Sequence, residues 1–400
     1  MQWEKRLSDW INTTRNAAPL PLRLCLWNGK QFDFSSLPPE VTVTMMQPSA
    51  AGYFLNPSLD NLGHAYVEGK LDIEGGLHAI IEVAAKLAAR SAAQGSSIFQ
   101  LIKPFDHTRK KDAQAIRYHY DVSNQFYQNF LDKNMVYSCA YFENNDENLE
   151  QAQIKKIDHI LTKIQLRGGE SLLDIGCGWG ALVIRAAQKY GAKCTGITLS
   201  ENQYALALER VEQAGLTDRI SIRLQDYRDA DGQFDRITSV GMFEHVGRTN
   251  LPVYFKKIVS LLKDDGLIMN HGITATNSVQ VGAPPGGSEF MEQYVFPQSE
   301  LMDVGHVLTA MQECGLETLD VENLRRHYAK TCAIWAENFE KNSAQIKSLV
   351  DDKHYRIWRV YLAGCAHAFM HDWISLHQIV GTKSGRNANL LPQSRRYMYT

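Results

Sequence analysis

Hydrophobic runs alternate with amphipathic segments along the chain from residue 171 onward. Five runs have the length and composition of buried strands: SLLDI, AKCTGITL, ISIRLQ, FDRITSV and LIMNHGIT. Three segments have apolar residues at helical spacing: ALVIRAAQKYG, ENQYALALERVEQAG, and VYFKKIVSLLKDDG, which ends at Gly266. Strands and helices that alternate in this way predict an α/β fold, in which helices cover both faces of a doubly wound parallel sheet.

The first 95 residues have a different pattern. Short runs of alternating polarity, such as VTVT at 41–44, precede an amphipathic helix over about 77–92. We therefore predict a smaller α+β domain at 1–95, a linker at 96–116 and the α/β domain at 117–400. The length of 400 residues agrees with this division, because a single hydrophobic core rarely serves more than about 250–300 residues.

The N-terminal segment predicts an amphipathic helix. Trp3, Leu7, Trp10 and Ile11 fall on one face of it, and charged residues lie elsewhere. We expect the apolar face to dock on the N-terminal domain, with contact to a membrane surface as the alternative.

Charge is nearly balanced over the whole chain, with 42 basic and 44 acidic residues. This balance argues against a dedicated nucleic-acid binder, which normally carries a concentrated basic excess. Residues 100–120 nevertheless hold five basic and two acidic side chains, a local balance of +3. A solvated linker is one interpretation of this strip, and contact with anionic lipid is the other.

Cysteine spacing and hydropathy bear on compartment and metal content. The seven cysteines include no CxxC pair and no HExxH motif occurs, so we predict free thiols in a reducing compartment and no metal site. The most apolar helical stretch, from Leu77, is interrupted by charges, and the N-terminus lacks the apolar core of a signal peptide. The predicted location is the cytoplasm.

A glycine-rich turn, DIGCGWG, follows the first strand of the α/β region and opens a helix. Asp174 stands two places before Gly176, and Gly178 and Gly180 follow. Such a turn brings the backbone close to a ligand at a helix N-terminus. The spacing resembles motif I of class I methyltransferases that use S-adenosyl-L-methionine (SAM) more than the GxGxxG dinucleotide fingerprint. A tight turn without any ligand is the structural alternative.

The end of the second strand lacks the acidic residue that usually binds a ribose. Thr198, Leu199 and Ser200 stand there, and Gln203 follows one turn later. Ribose contacts are therefore expected from neighbouring residues.

Ionisable residues lie at the carboxyl ends of two later strands. Glu244 and His245 follow the fourth strand, and His271 lies in the fifth. Ligands of open α/β sheets gather outside these strand ends, so we expect Glu244 and His271 to converge on one pocket. The alternatives are a helix cap for Glu244 and a hydrogen-bonded core histidine for His271.

Several motifs in fixed order now point to a family. They are YHYDVSNQFYQNFLDKNMVYSCAYF at 118–142, LLDIGCGWG, GITLSENQ, GMFEHVG, NHGI at 270–273, YVFP at 294–297, HYAKT at 327–331 and CAHAF from Cys365. Together they closely resemble cyclopropane-fatty-acyl-phospholipid synthases, whose core is shared by mycolic acid cyclopropane synthases. The resemblance covers about 100–383, and the N-terminal region is similar to the lipid-binding domain of the bacterial phospholipid enzymes.

The resemblance implies a class I SAM-dependent methyltransferase that adds a methylene group from SAM to the cis double bond of a phospholipid acyl chain. The residues implied to surround SAM are Tyr137, Ser138, Asp174, Gly176, Gly178, Thr198, Leu199, Gln203, Asp226 and Tyr227. A bicarbonate ion is implied to be held by the Cys139 and Ile273 backbones and by Glu244, His271 and Tyr328. The implied partner is a bilayer with unsaturated acyl chains, with peripheral attachment to its inner face, and the chain is implied to form a homodimer.

The chemistry explains why such residues are needed. A double bond has no proton to lose before it attacks, so methyl transfer depends on alignment, and it leaves a carbocation that must lose a proton for the ring to close. Aromatic rings stabilise cations where water is excluded. The candidates are Tyr120, Phe126, Phe142, Phe243, Tyr294 and Phe296.

Bicarbonate is the expected base in this reaction. Its own O–H would have to point at Glu244, since two anions repel, and we expect Glu244 also to fix His271. Cys365 is a further catalytic candidate from the matched segments. A structural role is the alternative for this residue, because alkyl transfer from a sulfonium needs no enzyme thiol.

Other functions share the same motifs. A methyltransferase that makes a methyl-branched fatty acid, or one that methylates a small amine, is the alternative enzyme. A lipid-binding or SAM-sensing protein without turnover is the alternative from another class, although none of the glycine, Glu244 or His271 positions is degraded.

Overall fold

The computed structural model describes residues 2–17, 19–93, 122–276, 287–296, 300–385 and 391–399. The predicted linker at 96–116, its basic strip and Tyr120 lie outside the described residues. The same holds for the side chain of Trp3.

The N-terminal part of the chain forms a four-stranded sheet with helices. Its elements are α1 (Gln2–Ala17), β1 (Leu22–Cys25), β2 (Gln31–Asp33), β3 (Val41–Met45), a 3₁₀ turn (Pro48–Ala50), α2 (Ala51–Leu55), α3 (Leu59–Val67), β4 (Leu71–Gly75) and α4 (Leu77–Ala93). The strand order is β2-β1-β3-β4, with β1 and β3 parallel and the other pairs antiparallel.

The first helix packs on this sheet through its apolar face, as predicted. Leu7 and Ile11 are buried, and the ring of Trp10 meets Phe34 and Phe54 edge-on at centroid distances of 5.9 and 5.7 Å. These contacts belong to a hydrophobic core that the N-terminal elements share among themselves. The apolar stripe of α1 is therefore covered by protein.

The remainder of the chain forms the larger α/β part. Its helices are α5 (Asn124–Gln128), α6 (Leu149–Lys163), α7 (Ala181–Tyr190), α8 (Glu201–Gln213), α9 (Phe243–Val246), α10 (Leu251–Leu261), α11 (Ser288–Tyr294), α12 (Val304–Glu313), α13 (Arg325–Lys341), α14 (Ser343–Leu349) and α15 (Asp352–Met370). Its strands are β5 (Ser171–Ile175), β6 (Lys193–Thr198), β7 (Ile220–Leu224), β8 (Phe234–Val240), β9 (Leu262–Ala275), β10 (Leu316–Asn323) and β11 (Ile374–Lys383). Short 3₁₀ turns lie at Tyr227–Asp229, Arg248–Asn250 and Arg395–Tyr399.

These strands form one sheet in the order β10-β11-β9-β8-β5-β6-β7. The five strands predicted from the hydrophobic pattern are all present and run parallel. The sheet is mixed rather than purely parallel, because β11 lies antiparallel between β9 and β10. The predicted doubly wound α/β fold is confirmed with this antiparallel addition.

The boundary between α10 and β9 differs from the prediction. The helix ends at Leu261 instead of Gly266, and the strand begins at once. Leu262 already pairs with Phe234 on the neighbouring strand β8, and Lys263 Nζ binds both oxygens of Asp235 on that strand at 2.9 Å. Cross-strand pairing therefore outweighs the helical spacing of these residues.

Helix α15 contacts the N-terminal part of the chain through two arginines. The Arg356 guanidinium donates to the carbonyl of Tyr66, and Arg359 donates to its hydroxyl, at 3.1 and 3.0 Å. His64 and Tyr294 form a second contact, with Nδ1 and the phenol oxygen 2.6 Å apart. Among the described helices, none is long and apolar enough to cross a bilayer.

Candidate active site

The glycine-rich turn folds as a tight strand-to-helix connection. Gly176, Gly178 and Gly180 have φ angles of 80°, 54° and 85°, which side chains rarely adopt. A Cβ on Gly176 would also lie 2.9 Å from the Met242 side chain. Glycine is therefore required at Gly176 both by its φ angle and by space.

A cavity opens at this turn, at the carboxyl ends of β5, β6 and β8. Nine of the ten residues predicted to surround SAM line it: Tyr137, Ser138, Asp174, Gly176, Gly178, Thr198, Leu199, Gln203 and Tyr227. The tenth, Asp226, is not among the lining residues. Its carboxylate receives two hydrogen bonds from the Arg228 guanidinium, at 2.9 and 2.6 Å. The carboxylate of Asp226, which was expected to contact SAM, is thus paired with Arg228.

The end of β6 is polar but carries no carboxylate. The side-chain oxygens of Thr198 and Gln203 lie 2.8 Å apart, and the hydroxyl of Ser200 accepts the backbone N–H of Gln203 at the start of α8. Both Thr198 and Gln203 are buried. The cavity therefore offers a hydroxyl and an amide where many nucleotide-binding sheets offer an acidic group.

The cavity wall also contains a buried lysine that the sequence did not reveal. Lys156 lies on α6, and its Nζ donates to the Ser138 hydroxyl at 2.7 Å. Burial lowers the pKa of Lys156 to about 8. Burial raises the pKa of Asp174, in the same wall, to about 6, against the opposing effect of the Thr238 hydroxyl that donates to it at 2.7 Å.

Glu244 lies at the start of the short helix α9 and is buried. Its Oε1 accepts the backbone N–H of Ile273 at 3.3 Å, and its Oε2 makes no hydrogen bond with a described residue. Burial raises the pKa of Glu244 to about 7. A Cβ on Gly272 would lie 2.6 Å from Oε2 and 2.4 Å from the Phe243 ring, so this strand position also needs glycine.

His271 is buried on β9, next in the chain to Gly272, whose Cβ position abuts Glu244. Its Nδ1 lies 3.2 Å from Nε2 of Gln378, and its own Nε2 has no partner among the described residues. Burial, together with Lys156 and Lys163, lowers the pKa of His271 well below its usual value. The expected hydrogen bond from Glu244 to His271 is absent among the described residues, and Gln378 holds the ring instead.

Tyr328, which is predicted to bind bicarbonate, is buried near the predicted site cysteines. Burial raises the pKa of its hydroxyl far above the usual value, and the nearby thiols of Cys332, Cys139 and Cys365 and the carboxylate of Glu244 act in the same direction. The Tyr328 ring also packs 4.5 Å from that of Phe369. Tyr328 and Cys365 thus pack against the hydrophobic cluster that contains Cys139, and the charge of Glu244 acts on the Tyr328 hydroxyl.

The two predicted site cysteines are neutral thiols. Burial raises the pKa of Cys139 far above its usual value and that of Cys365 to about 12. The Cys139 thiol donates to the carbonyl of Ala140 at 3.2 Å. A thiol is a much weaker nucleophile than a thiolate, so this environment favours the structural alternative for Cys365.

The aromatic candidates divide into two groups. In the first group, the side chains of Phe243 and Glu244 both abut the Cβ position of Gly272. The ring of Phe296 packs 5.2 Å from that of His245, which lines the cavity. The other described candidates belong to the hydrophobic cluster that contains Cys139. Within it, Phe126 packs on Trp358, Phe142 on His327, and Tyr294 on His64.

The sequence also missed aromatic residues beside the site. The hydroxyls of Tyr137 and Tyr361 are 3.0 Å apart, and the Tyr137 ring lies 5.2 Å from that of Trp335. Of these three residues, only Tyr137 was a candidate from the sequence. Trp335 and Tyr361 were missed because they lie on helices α13 and α15, far along the chain from the other site residues.

Two known protein families match this chain, one over most of its length and one over its N-terminal part. The family described as mycolic acid cyclopropane synthetase matches residues 107–379. The chain belongs to that family. A domain of unknown function matches residues 10–96. The chain is thus a SAM-dependent methyltransferase of the cyclopropane synthase and fatty acid methyltransferase family, as the sequence motifs indicate.

Relatives of known sequence and structure support this assignment. A probable fatty acid methyltransferase of Pseudomonas putida is 46% identical over 383 residues, which cover 95% of this chain and 96% of that protein. The cyclopropane-fatty-acyl-phospholipid synthase of Escherichia coli is 37% identical, covering 71% of this chain and 72% of that protein. A solved mycolic acid cyclopropane synthase complexed with SAH and CTAB is 34% identical, with a TM-score of 0.66 over 68% of this chain and 98% of the other. The class I SAM-dependent methyltransferase fold is confirmed.

Proposed function

We propose that this protein transfers a methylene group from SAM to the cis double bond of an unsaturated acyl chain in a membrane phospholipid and closes a cyclopropane ring. One observation carries the proposal. Glu244 Oε2 and His271 Nε2 are buried polar atoms without partners among the described residues, in a family whose members include cyclopropane synthases. Unpaired buried polar atoms are costly, and a small polar ligand bound between Glu244 and His271 would supply both with a partner.

The cavity fits SAM as the co-substrate. Its glycine turn and helix N-terminus leave backbone groups for the amino acid part, and Thr198 and Gln203 offer polar atoms for the ribose. SAM supplies an activated methyl group bonded to a positively charged sulfur. The residues of the cavity hold and align it, which is the main requirement of this transfer.

The unpaired atoms fit a bicarbonate ion. Neutral His271 can offer an N–H donor. Glu244, whose pKa lies at about 7, can either donate from its protonated form or accept an O–H from the ion. Bicarbonate, when bound, supplies a base for the proton that the methyl group must lose. We propose Tyr328 and the Cys139 backbone as the other groups that bind bicarbonate. The Ile273 N–H, which was also expected to bind the ion, donates to Glu244 in this structure.

The surroundings suit a carbocation on the acyl chain. Phe243, Phe296 and Tyr361 present aromatic rings near the site, and the thiol of Cys365 is neutral. Rings stabilise a cation by up to about 2 kcal/mol where water is excluded. A neutral thiol competes weakly for the methyl group, so the double bond remains the nucleophile.

A phospholipid substrate requires access to a bilayer. We propose that residues 1–95 form the domain that handles lipid, that 96–116 is a basic linker touching anionic head groups, and that attachment is peripheral. The described face of α1 is not the membrane contact, because Leu7 and Ile11 are buried against the N-terminal core. The proposed homodimer can be tested separately by analytical ultracentrifugation.

Mass spectrometry of acyl chains tests the function. The full-length protein is incubated with SAM and vesicles of unsaturated phospholipid, and the acyl chains are analysed before and after ozone treatment. We expect a gain of one CH₂ and loss of the ozone-sensitive double bond. An added CH₂ in a chain that ozone still cleaves, a methylated amine or no product would overturn the proposal.

A methyl-branched product is the second candidate. The P. putida relative, which covers 95% of this chain at 46% identity, is called a probable fatty acid methyltransferase. A chain with an exocyclic methylene group has the same mass as one with a ring, but ozone cleaves only the former. The ozone step therefore separates the ring from this unsaturated product, and the mass separates the ring from a saturated methyl branch, which carries two more hydrogens and needs a reductant to form.

A further inference from the structure

Three polar side chains form a row across the antiparallel part of the large sheet. Glu322 on β10 is paired with Gln378 on β11, and Gln378 is paired with His271 on β9. Residues directly opposite one another on adjacent strands point to the same face. The row therefore runs from the edge strand to the ring of His271 beside the proposed bicarbonate site.

A buried lysine lies over the middle of this row. Lys163, at the end of α6, donates from Nζ to Oε1 of Gln378 at 3.0 Å and also to Glu322. Asp320 adds a second carboxylate, 3.6 Å from Nζ. These two acidic side chains balance the ammonium charge inside the protein.

The lysine fixes which way the Gln378 amide faces. An ammonium group only donates hydrogen bonds, so the amide oxygen must face Lys163 and the NH₂ group must face the histidine. The opposite orientation would place two donor groups against each other. Gln378 is wholly buried, so water does not offer an alternative partner.

The orientation of Gln378 in turn fixes the tautomer of His271. Because the amide NH₂ donates to Nδ1, that nitrogen carries no proton, and in the neutral ring the hydrogen is on Nε2. Burial and the two nearby lysines, Lys156 and Lys163, favour the neutral ring by lowering its pKa. The Nε2–H group is the atom that has no partner among the described residues.

We propose that Lys163 and Gln378 are positioning residues that hold His271 as the neutral Nε2–H tautomer, so that the imidazole donates a hydrogen bond to bicarbonate and does not itself take up the proton. This inference rests on the proposed function, because it names bicarbonate as the acceptor. The tautomer itself is a property of the protein chain alone.

Further contacts fix the two carboxylates at the edge-strand end of the row, Glu322 and Asp320. His159 lies 2.8 Å from Glu322 and stacks on Tyr141, whose ring is 4.3 Å away. Near the C-terminus, Arg395 binds Asp320 at 2.6 Å, and the Tyr397 hydroxyl donates to the backbone carbonyl of Lys163. These contacts keep the lysine directed at Gln378.

NMR of ¹⁵N-histidine-labelled full-length protein tests the tautomer without substrate or bicarbonate. Long-range ¹H–¹⁵N correlations distinguish the two neutral forms, and the His271 signals are assigned by their loss in His271→Asn. We expect the Nε2–H form in the wild type. In Gln378→Glu the carboxylate accepts from the ring, so we expect a proton on Nδ1. A wild-type ring protonated on Nδ1, or a variant spectrum identical to that of the wild type, would overturn the proposal.

Turnover provides the second readout. We expect Gln378→Glu to lower kcat at least tenfold with little change in the KM for SAM, whereas Gln345→Glu, on an exposed helix position, leaves both unchanged. A changed tautomer with wild-type turnover would reject the positioning role. If the wild type makes no cyclopropane, the proposed function fails, but the tautomer result still stands.

Discussion

Replacing Glu244 with glutamine should make stability less dependent on pH. The carboxyl group is buried, and its Oε2 has no partner among the described residues. Burial raises its pKa from an ordinary 4.5 to about 7. At about 1.4 kcal/mol per pKa unit, ionising this group costs the folded state about 3 kcal/mol more than the unfolded chain.

The sign of the effect follows from proton binding. Between about pH 4.5 and 7 the folded protein holds a proton on Glu244 that the unfolded chain has released, so the stability of the wild type falls as pH rises through this window. Glutamine does not titrate and keeps the side-chain oxygen that accepts the Ile273 N–H. Relative to wild type, Glu244→Gln should therefore gain about 3 kcal/mol between pH 4.5 and pH 8.

Urea denaturation in carbonate-free buffer from pH 4.5 to pH 9 measures this difference. Glu292→Gln, an exposed change on α11, is the control for the loss of one carboxyl group. We also expect Glu244→Gln to lose most turnover with little change in SAM affinity. A stability difference that stays constant across the pH range would refute the argument that Glu244 is a buried carboxyl with a raised pKa.

Three further predictions concern neighbouring positions. Gly272→Ala should destabilise the protein by about 1–3 kcal/mol and abolish turnover, because the new Cβ would lie 2.4 Å from Phe243, whereas Gly364→Ala, with open space around its Cβ position, should be stable in thermal denaturation. Cys365→Ser should retain turnover within a few-fold in the acyl-chain assay, and a complete loss with the fold intact would restore a catalytic role. Asp226→Asn should change the Kd for SAM by less than tenfold in calorimetry, because Arg228 already holds the carboxylate; a larger loss would return Asp226 to the binding site.

The sequence predicts the centre of the site because local rules place it there. The glycine turn must follow a strand and precede a helix, and parallel strands bring their carboxyl ends to one edge. Those rules predict that Gly176 and Thr198 line the cavity, as they do, and that Glu244 and His271 follow neighbouring strands of the same sheet. Asp226 was assigned to SAM by the family resemblance, and in the structure Arg228, two residues later, binds its carboxylate.

The residues that the sequence missed act across long separations. Lys156 and Lys163 lie on α6, whose pattern does not reveal that these lysines are buried. Gln378 meets Lys163 across 215 residues of chain, through a strand that hydropathy did not predict. The polar residues Glu322 on β10 and Gln378 on β11 become informative only when the pairing of β10 with β11 and of β11 with β9 is known.

The position of the transferred carbon tests the central claim most directly. SAM labelled with ¹³C in its methyl group is incubated with the protein and unsaturated phospholipid vesicles, and the extracted lipid is examined by ¹³C-edited proton NMR. We predict that the label appears in the CH₂ of a cyclopropane ring, with its characteristic upfield protons. Label in a methyl branch, an exocyclic methylene group or a head-group N-methyl would contradict the proposed ring closure.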